Sequence, residues 1–321
     1  MQPSVYPKPE PQWEPYRAGT KRTYRMMGLF ENRGDVEYIS LIPPQMVTVL
    51  DEYDSWLKIS TYRGPKWINL DFAPPTEHLT ATLQQHGNRI SVLYINLDTG
   101  FTFTYNPYRT HFSASVGKIY SALYIYTLAE RGYITLDRVH TFNEASHREG
   151  TGRIQHMDFG TQFTTAQLLG YSMRYSDNVA YSMTAARYNH PDFTFHDFVE
   201  EIGANPDKIN SLTSKNINLA DAAIWMNAVH DFLEDDGEFS EIFRNNLIAT
   251  LSFIGSNNYD VASKYGWAGY AFHDAAIIYA PSPYILVILS DLGWEEEPSV
   301  SFGHFARIGR MFEEFNDRYF R

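Results

Sequence analysis

Strand-like apolar runs stand at both ends of the last three quarters of this chain, with helical spacing between them. Residues 90–97 form one such run, and residues 275–279 and 284–289 form the others. Residues 160–250 are mostly helical in pattern. Strands separated so widely are read as one sheet assembled from distant parts of the chain, with a helical lobe inserted between them. Asp98-Thr99-Gly100, between residues 90–97 and 101–105, is a hairpin signal. Thr76 can cap a helix running to His86, with Gly87 just beyond its end. A longer helical stretch covers residues 114–131 and is ended by Gly132. An amphipathic segment over residues 302–320 places Phe305, Ile308, Met311, Phe312 and Phe315 at helical spacing.

The first quarter has a different texture. Residues 1–20 carry Pro3, Pro7, Pro9, Pro11 and Pro15 and read as a linker or tail. Short strands follow over residues 46–50, 56–60 and 67–70, separated by turn residues at 52–54 and 62–66. The rhythm Trp56, Lys58, Ile59, Gly64, Trp67, Ile68 resembles the closing half of a bacterial SH3-like barrel. That implies a small all-β domain over residues 21–73, with wall glycan or peptide as its partner. Ala73-Pro74-Pro75 is the expected boundary before a second domain over residues 76–321.

Charge and composition narrow the function. The 321 residues contain 38 acidic and 26 basic side chains, a net charge of −12. That balance argues against nucleic acid or an anionic membrane as the main partner. The absence of cysteine excludes disulfides, thiol nucleophiles and thiolate metal sites. The apolar run at residues 275–289 is interrupted by Pro281 and Pro283 and is too short to span a bilayer. The first residues lack the apolar core of a signal peptide. The chain is therefore expected to be cytoplasmic, or exported with its signal outside this sequence.

Three short motifs carry the chemistry. Ser115-Val116-Gly117-Lys118 opens the long helical stretch, where positions i and i+3 share a face, so Lys118 Nζ can reach back to Ser115 Oγ. A neutral lysine there can take the serine proton, and the helix N-terminus favours the developing negative charge. Ser55-Trp56-Leu57-Lys58 has the same spacing but sits in an expected strand, where i and i+3 face opposite sides, and is rejected. Ser176-Asp177-Asn178 follows, and Lys264-Tyr265-Gly266 precedes the C-terminal strands.

In this order the motifs resemble those of the serine β-lactamase and penicillin-binding-protein superfamily, closest to class A β-lactamase-like serine hydrolases. The resemblance covers residues 76–321. It implies a mixed α/β fold: a five-stranded antiparallel sheet flanked by helices plus a helical lobe, with the site between them. It also implies roles. Ser115 becomes the acylated nucleophile and Lys118 its base. Ser176 relays a proton to the leaving nitrogen, and Asn178 bonds a substrate amide. Lys264 supplies positive charge. The backbone N–H groups of Ser115 and Trp267 form the oxyanion hole. Asp177 holds the loop of its motif. The implied substrate is a cell-wall D-alanyl peptide or related amide or ester, with hydrolysis of β-lactams as the alternative. A member that has lost catalysis and only binds wall peptide or a protein partner is a further alternative. The implied location is extracellular or in the cell envelope, and no cofactor is expected.

Two departures stand out. Tyr265 occupies a position where the family has Thr or Ser, so its hydroxyl lies further out than the one that helps hold a substrate carboxylate. The family's deacylating glutamate should lie between residues 198–205, which resemble the helix before its loop, and residues 217–221, which resemble the helix after it. Residues 206–216 contain no glutamate, and Asp207 is their sole acid. The loop is read as shortened and β-lactam turnover as poor.

The remaining candidates have plainer readings. His140, His147, His156, His190 and His196 show no metal-ligand pattern. His273 and Asp274 are adjacent on a strand, face opposite sides, and are read as site wall or sheet edge. Arg33-Gly34-Asp35 is a turn, and residues 234–238 are a solvated acidic loop.

Overall fold

The structure is a computed structural model. It describes residues 15–17, 20–22, 27–35, 38, 40–42, 46–70, 72–185, 188, 190–205, 216–256, 258–293 and 298–320.

The N-terminal strands are β1 (Pro15–Arg17), β2 (Thr20–Arg22), β3 (Met27–Phe30), β4 (Ser40–Ile42), β5 (Met46–Tyr53), β6 (Trp56–Ile59) and β7 (Lys66–Asn69). Among the described residues they form one sheet in the order β1-β2-β5-β6-β7-β3-β4. Alternation builds it: Leu57 and Ile59 of β6 are buried while Trp56 and Lys58 are only partly covered. Leu57, Ile59, Ile68, Val47, Leu29 and Phe72 make its small core. Asp54, with φ +49°, turns β5 into β6. Of the proline-rich stretch, residues 1–14 lie outside the described residues. Pro15 is not in a tail but is the first residue of an edge strand, a position that tolerates proline.

The second unit contains α1 (Glu77–Gln84), β8 (Ile90–Asn96), β9 (Thr102–Tyr105), β10 (His111–Phe112), α2 (Lys118–Glu130), β11 (Val139–Thr141), β12 (Gln162–Thr164), α3 (Thr165–Arg174), α4 (Asn178–Thr184), α5 (Phe195–Glu201), β13 (Asn216–Ile217), α6 (Leu219–Glu234), α7 (Glu238–Ile248), β14 (Val261–Ala268), β15 (Ala271–Ile278), β16 (Tyr284–Ser290) and α8 (Pro298–Tyr319). Its main sheet is antiparallel, five-stranded and ordered β14-β15-β16-β8-β9. The predicted joining of distant segments is the β8–β16 pairing, which runs from Ile90↔Ser290 to Asn96↔Tyr284.

Both faces of this sheet are covered, which is why β8, β15 and β16 are buried at every position. Leu93, Ile95, Ile277 and Val287 pack on the helical lobe. Val92, Tyr94, Leu286 and Ile288 pack on Phe305, Ile308, Phe312 and Phe315 of α8. Helix α2 is buried from Lys118 to Ala129 and forms the axis of the lobe.

Several boundaries differ from expectation. Helix α1 stops at Gln84, Thr76 makes no side-chain cap bond, and Gly87 begins a short 3₁₀ turn. The stretch before α2 is a separate 3₁₀ turn, Ala114–Gly117. Strand β15 starts at Ala271, and the third motif lies within an edge strand, β14. Asn216–Ile217 is a short strand, and the helix after it starts at Leu219 with Asn218 as its cap. The sole acid of the short loop, Asp207, lies outside the described residues.

Candidate active site

The serine turn is clamped from below. β10 pairs with β13 through His111↔Ile217 and Phe112↔Asn216. His273 Nε2 donates to the Phe112 carbonyl at 2.7 Å, and its Nδ1 accepts from Ser290 N at 3.0 Å. These bonds fix a neutral tautomer, in keeping with burial that pushes the His273 pKa down to about 4. His273 and Asp274 therefore belong to an interior strand beneath the serine turn and are fully buried, not at the sheet edge. His111 adds an anchor: its Nε2 lies 3.0 Å from Ser91 Oγ and its Nδ1 3.2 Å from Asp291. This looks like a catalytic triad, but Ser91 is fully buried and its hydroxyl donates to the Asn106 carbonyl.

After Phe112 the backbone turns through Ala114, at φ +46°, into the 3₁₀ turn that presents a partly buried Ser115 at the start of α2. Strand β14 crosses close by. A Cβ at Gly266 would lie 3.0 Å from Val116 N and 3.1 Å from Ser115 N, so glycine permits this approach. The first and third motifs thus touch through backbone.

Lys118 points to the second motif. Its Nζ donates to Ser176 O at 2.5 Å, Asn178 Oδ1 at 2.7 Å and Ser176 Oγ at 3.4 Å. The expected bond back to Ser115 is not among these, because buried carbonyl oxygens compete successfully for the amine. Burial lowers the Lys118 pKa to about 7, and Asp177 opposes the fall. A lysine with that pKa is about half neutral at neutral pH.

Ser176 is held in the left-handed region at φ +50° and is fully buried. Asp177 keeps it there. One carboxylate oxygen accepts from Arg153 N at 2.6 Å and Ile154 N at 2.9 Å, and the other caps α4 through Ala180 N at 2.9 Å. A Cβ on Gly152, which has φ +119°, would meet Asp177 at 2.4 Å. Thr151 completes the loop: its hydroxyl donates to Ser176 O at 2.8 Å, and its carbonyl accepts from Asn178 N at 3.0 Å. Asn178 Nδ2 donates to Glu149 O at 3.0 Å.

The third motif supplies a buried cation. Lys264 Nζ donates to Tyr265 O at 2.9 Å and lies 4.1 Å from the Tyr265 ring centroid. Burial, then the Lys118 charge, pushes its pKa well below the lysine range, and Asp274 opposes them. Burial raises the Tyr265 pKa, and the Ser176 side chain nearby opposes the rise. Trp267, two residues on, is 41% exposed.

The fold thus brings Ser115, Lys118, Ser176, Asn178, Lys264, Tyr265, Gly266 and Trp267 into one neighbourhood. Sequence reasoning missed Thr151; its only signal is its place between Gly150 and Gly152, both at positive φ. Elsewhere, His196, Asp197 and Glu200 on the exposed face of α5 come within 4.8 Å of one another, although the sequence showed no ligand pattern there. Asp197 is already bonded to Thr194 as part of a helix cap.

Comparison with known proteins bears on the fold and the family. Residues 74–311 match the model of the Beta-lactamase enzyme family. A beta-lactamase from Sphaerobacter thermophilus DSM 20745 superposes with a TM-score of 0.61 at 16% identity, covering 74% of this chain and 95% of its own. PBP-A gives 0.61 at 16%, covering 75% and 98%. An ancestral class A beta-lactamase gives 0.63 at 18%, covering 74% and 98%. None of the curated proteins gives a match.

Proposed function

Because the chain belongs to the beta-lactamase enzyme family, we propose that it is a serine hydrolase forming an acyl-enzyme on Ser115. The observation that carries this reading is a buried lysine with a pKa of about 7, one helical turn from a serine at a helix start. Neutral Lys118 takes the Ser115 proton, and Oγ attacks the carbonyl carbon of an amide or ester. The N–H groups of Ser115 and Trp267 receive the oxyanion, an interaction worth about 3 kcal/mol per donor in serine hydrolases. Lys118 passes the proton through Ser176, to which it is bonded, and Ser176 delivers it to the departing nitrogen or oxygen. Lys264 raises the local potential, and Asn178 binds the substrate amide. Water then cleaves the ester with Lys118 as base.

A cell-wall D-alanyl peptide is the candidate acyl donor that the family suggests, and a β-lactam is its cyclic counterpart. One similar structure is an acyl-enzyme complex of a PBP-A mutant with penicillin G. The lack of glutamate in residues 206–216 favours slow deacylation over β-lactamase turnover. The N-terminal sheet is read as an SH3-like unit over residues 21–73 that places the enzyme at the cell wall, outside the cytoplasm. No described helix is long and apolar enough to cross a membrane.

The test is intact-protein mass spectrometry after penicillin G. The expected result is a lasting adduct on Ser115, absent in Ser115→Ala. Rapid multiple turnover with no adduct would favour the β-lactamase alternative, and a folded protein inert to penicillin and to a fluorophosphonate would favour the binding-only alternative.

A further inference from the structure

Beside the motifs lies a cleft of about 560 Å³. Leu251, Phe253, Tyr265, Trp267, Pro298 and Phe302 form its apolar walls, and Thr151 is its polar side chain. No charged side chain lines it among the described residues. The walls are organised by ring contacts: Phe253 is 4.9 Å from Tyr265 and 4.8 Å from Phe302, and Trp267 meets Phe302 edge-on at 6.2 Å. Leu251 and Trp267 remain 59% and 41% exposed.

The cleft adjoins the second and third motifs through Thr151, Tyr265 and Trp267. Tyr265 and Thr151 both line it; the Thr151 hydroxyl donates to the Ser176 carbonyl at 2.8 Å, and the Ser176 side chain acts on the Tyr265 phenol against the burial that raises its pKa. The motif cation Lys264 does not line it: its Nζ is bonded to the Tyr265 carbonyl and lies over the Tyr265 ring. A carboxylate in this cleft would lose its hydration and meet aromatic carbon, whereas an apolar ring would lose only unfavourable water contact.

We propose that this cleft binds an uncharged apolar group, aromatic or branched aliphatic, on the departing side of the bond cleaved at Ser115. The assignment to the departing side rests on the reading above, in which Ser176 protonates the leaving atom. It narrows the substrate class: amides and esters whose departing portion is neutral are favoured over those that carry a carboxylate there.

The test compares two aryl acetates, the neutral methyl 3-acetoxybenzoate and the anionic 3-acetoxybenzoate, which differ in charge and by one methyl group, the latter worth only about fourfold in affinity. Binding is measured by calorimetry on full-length Ser115→Ala, so it reads the cleft without turnover. The neutral ester should bind at least tenfold more tightly. Adding Leu251→Arg, a change at an exposed position, should shift the ratio at least tenfold towards the carboxylate. Equal binding, tighter binding of the carboxylate, or a ratio that ignores Leu251→Arg would overturn the proposal. Failure of the serine-hydrolase reading appears separately, as wild-type protein that a fluorophosphonate does not modify at Ser115.

Discussion

Lys118 should reduce the stability of the fold in which it works, by an amount that depends on pH. Its pKa falls from 10.5 to about 7 on burial. Each unit is about 1.36 kcal/mol, so below pH 7 the buried ammonium costs about 5 kcal/mol relative to the unfolded chain. Between pH 7 and 10.5 the unfolded state binds the extra proton, so wild-type stability rises with pH. Lys118→Met removes this linkage. It also removes bonds to Ser176 O and Asn178 Oδ1, a loss of about 1–3 kcal/mol per stranded acceptor, although Ser176 O keeps Thr151. That loss does not vary with pH. The difference, variant minus wild type, should therefore fall by about 2.5 kcal/mol between pH 6 and pH 9. Relief of Lys264, whose pKa the Lys118 charge depresses, acts in the same direction. Urea unfolding of both proteins at pH 6, 7.5 and 9 measures it. A difference that stays constant across that range would refute the claim that the fold forces Lys118 towards neutrality.

Two further substitutions probe the scaffold. Gly266→Ala places a methyl 3.0–3.1 Å from the Val116 and Ser115 amides; thermal unfolding should show a loss of about 1–3 kcal/mol, and fluorophosphonate labelling of Ser115 should slow at least tenfold. Asp177→Ala strands the N–H groups of Arg153, Ile154 and Ala180; a loss of about 1–3 kcal/mol per stranded donor is expected in urea unfolding, and a total loss under about 1 kcal/mol would contradict its role as the support of the Ser176 loop.

What the sequence revealed depends on how regular each segment is. The two Ser-x-x-Lys tetrads were separable because Leu57 and Ile59 alternate with Trp56 and Lys58 in a strand, while residues 118–129 are mostly apolar without alternation and form a helix buried all round. The β8–β9 hairpin was legible from Asp98-Thr99-Gly100, and α8 from its Phe305, Ile308, Phe312 and Phe315 stripe. Strand β14 was hidden because a fully buried lysine sits at its centre, where apolar periodicity would be sought. The first half of β15 was hidden by His273 and Asp274, polar residues whose burial is offset by backbone partners that only tertiary structure supplies. Thr151 reaches Ser176 across 25 positions of chain, a convergence that no local pattern encodes. The Tyr265 departure was visible as a letter, but its place beside Ser176 and in the wall of the cleft was not, since that depends on how far a phenol reaches from the edge strand.

The most direct measurement is the rate at which a fluorophosphonate modifies the wild-type protein as a function of pH, with the adduct located by peptide mass spectrometry. The account predicts a single adduct on Ser115. Its rate should rise tenfold per pH unit at low pH and level off above a midpoint near 7, where Lys118 loses its proton. Lys118→Arg, which stays charged at every pH tested, should slow it at least a thousandfold. An adduct at another residue, a midpoint above 9, or an arginine variant as fast as wild type would contradict it.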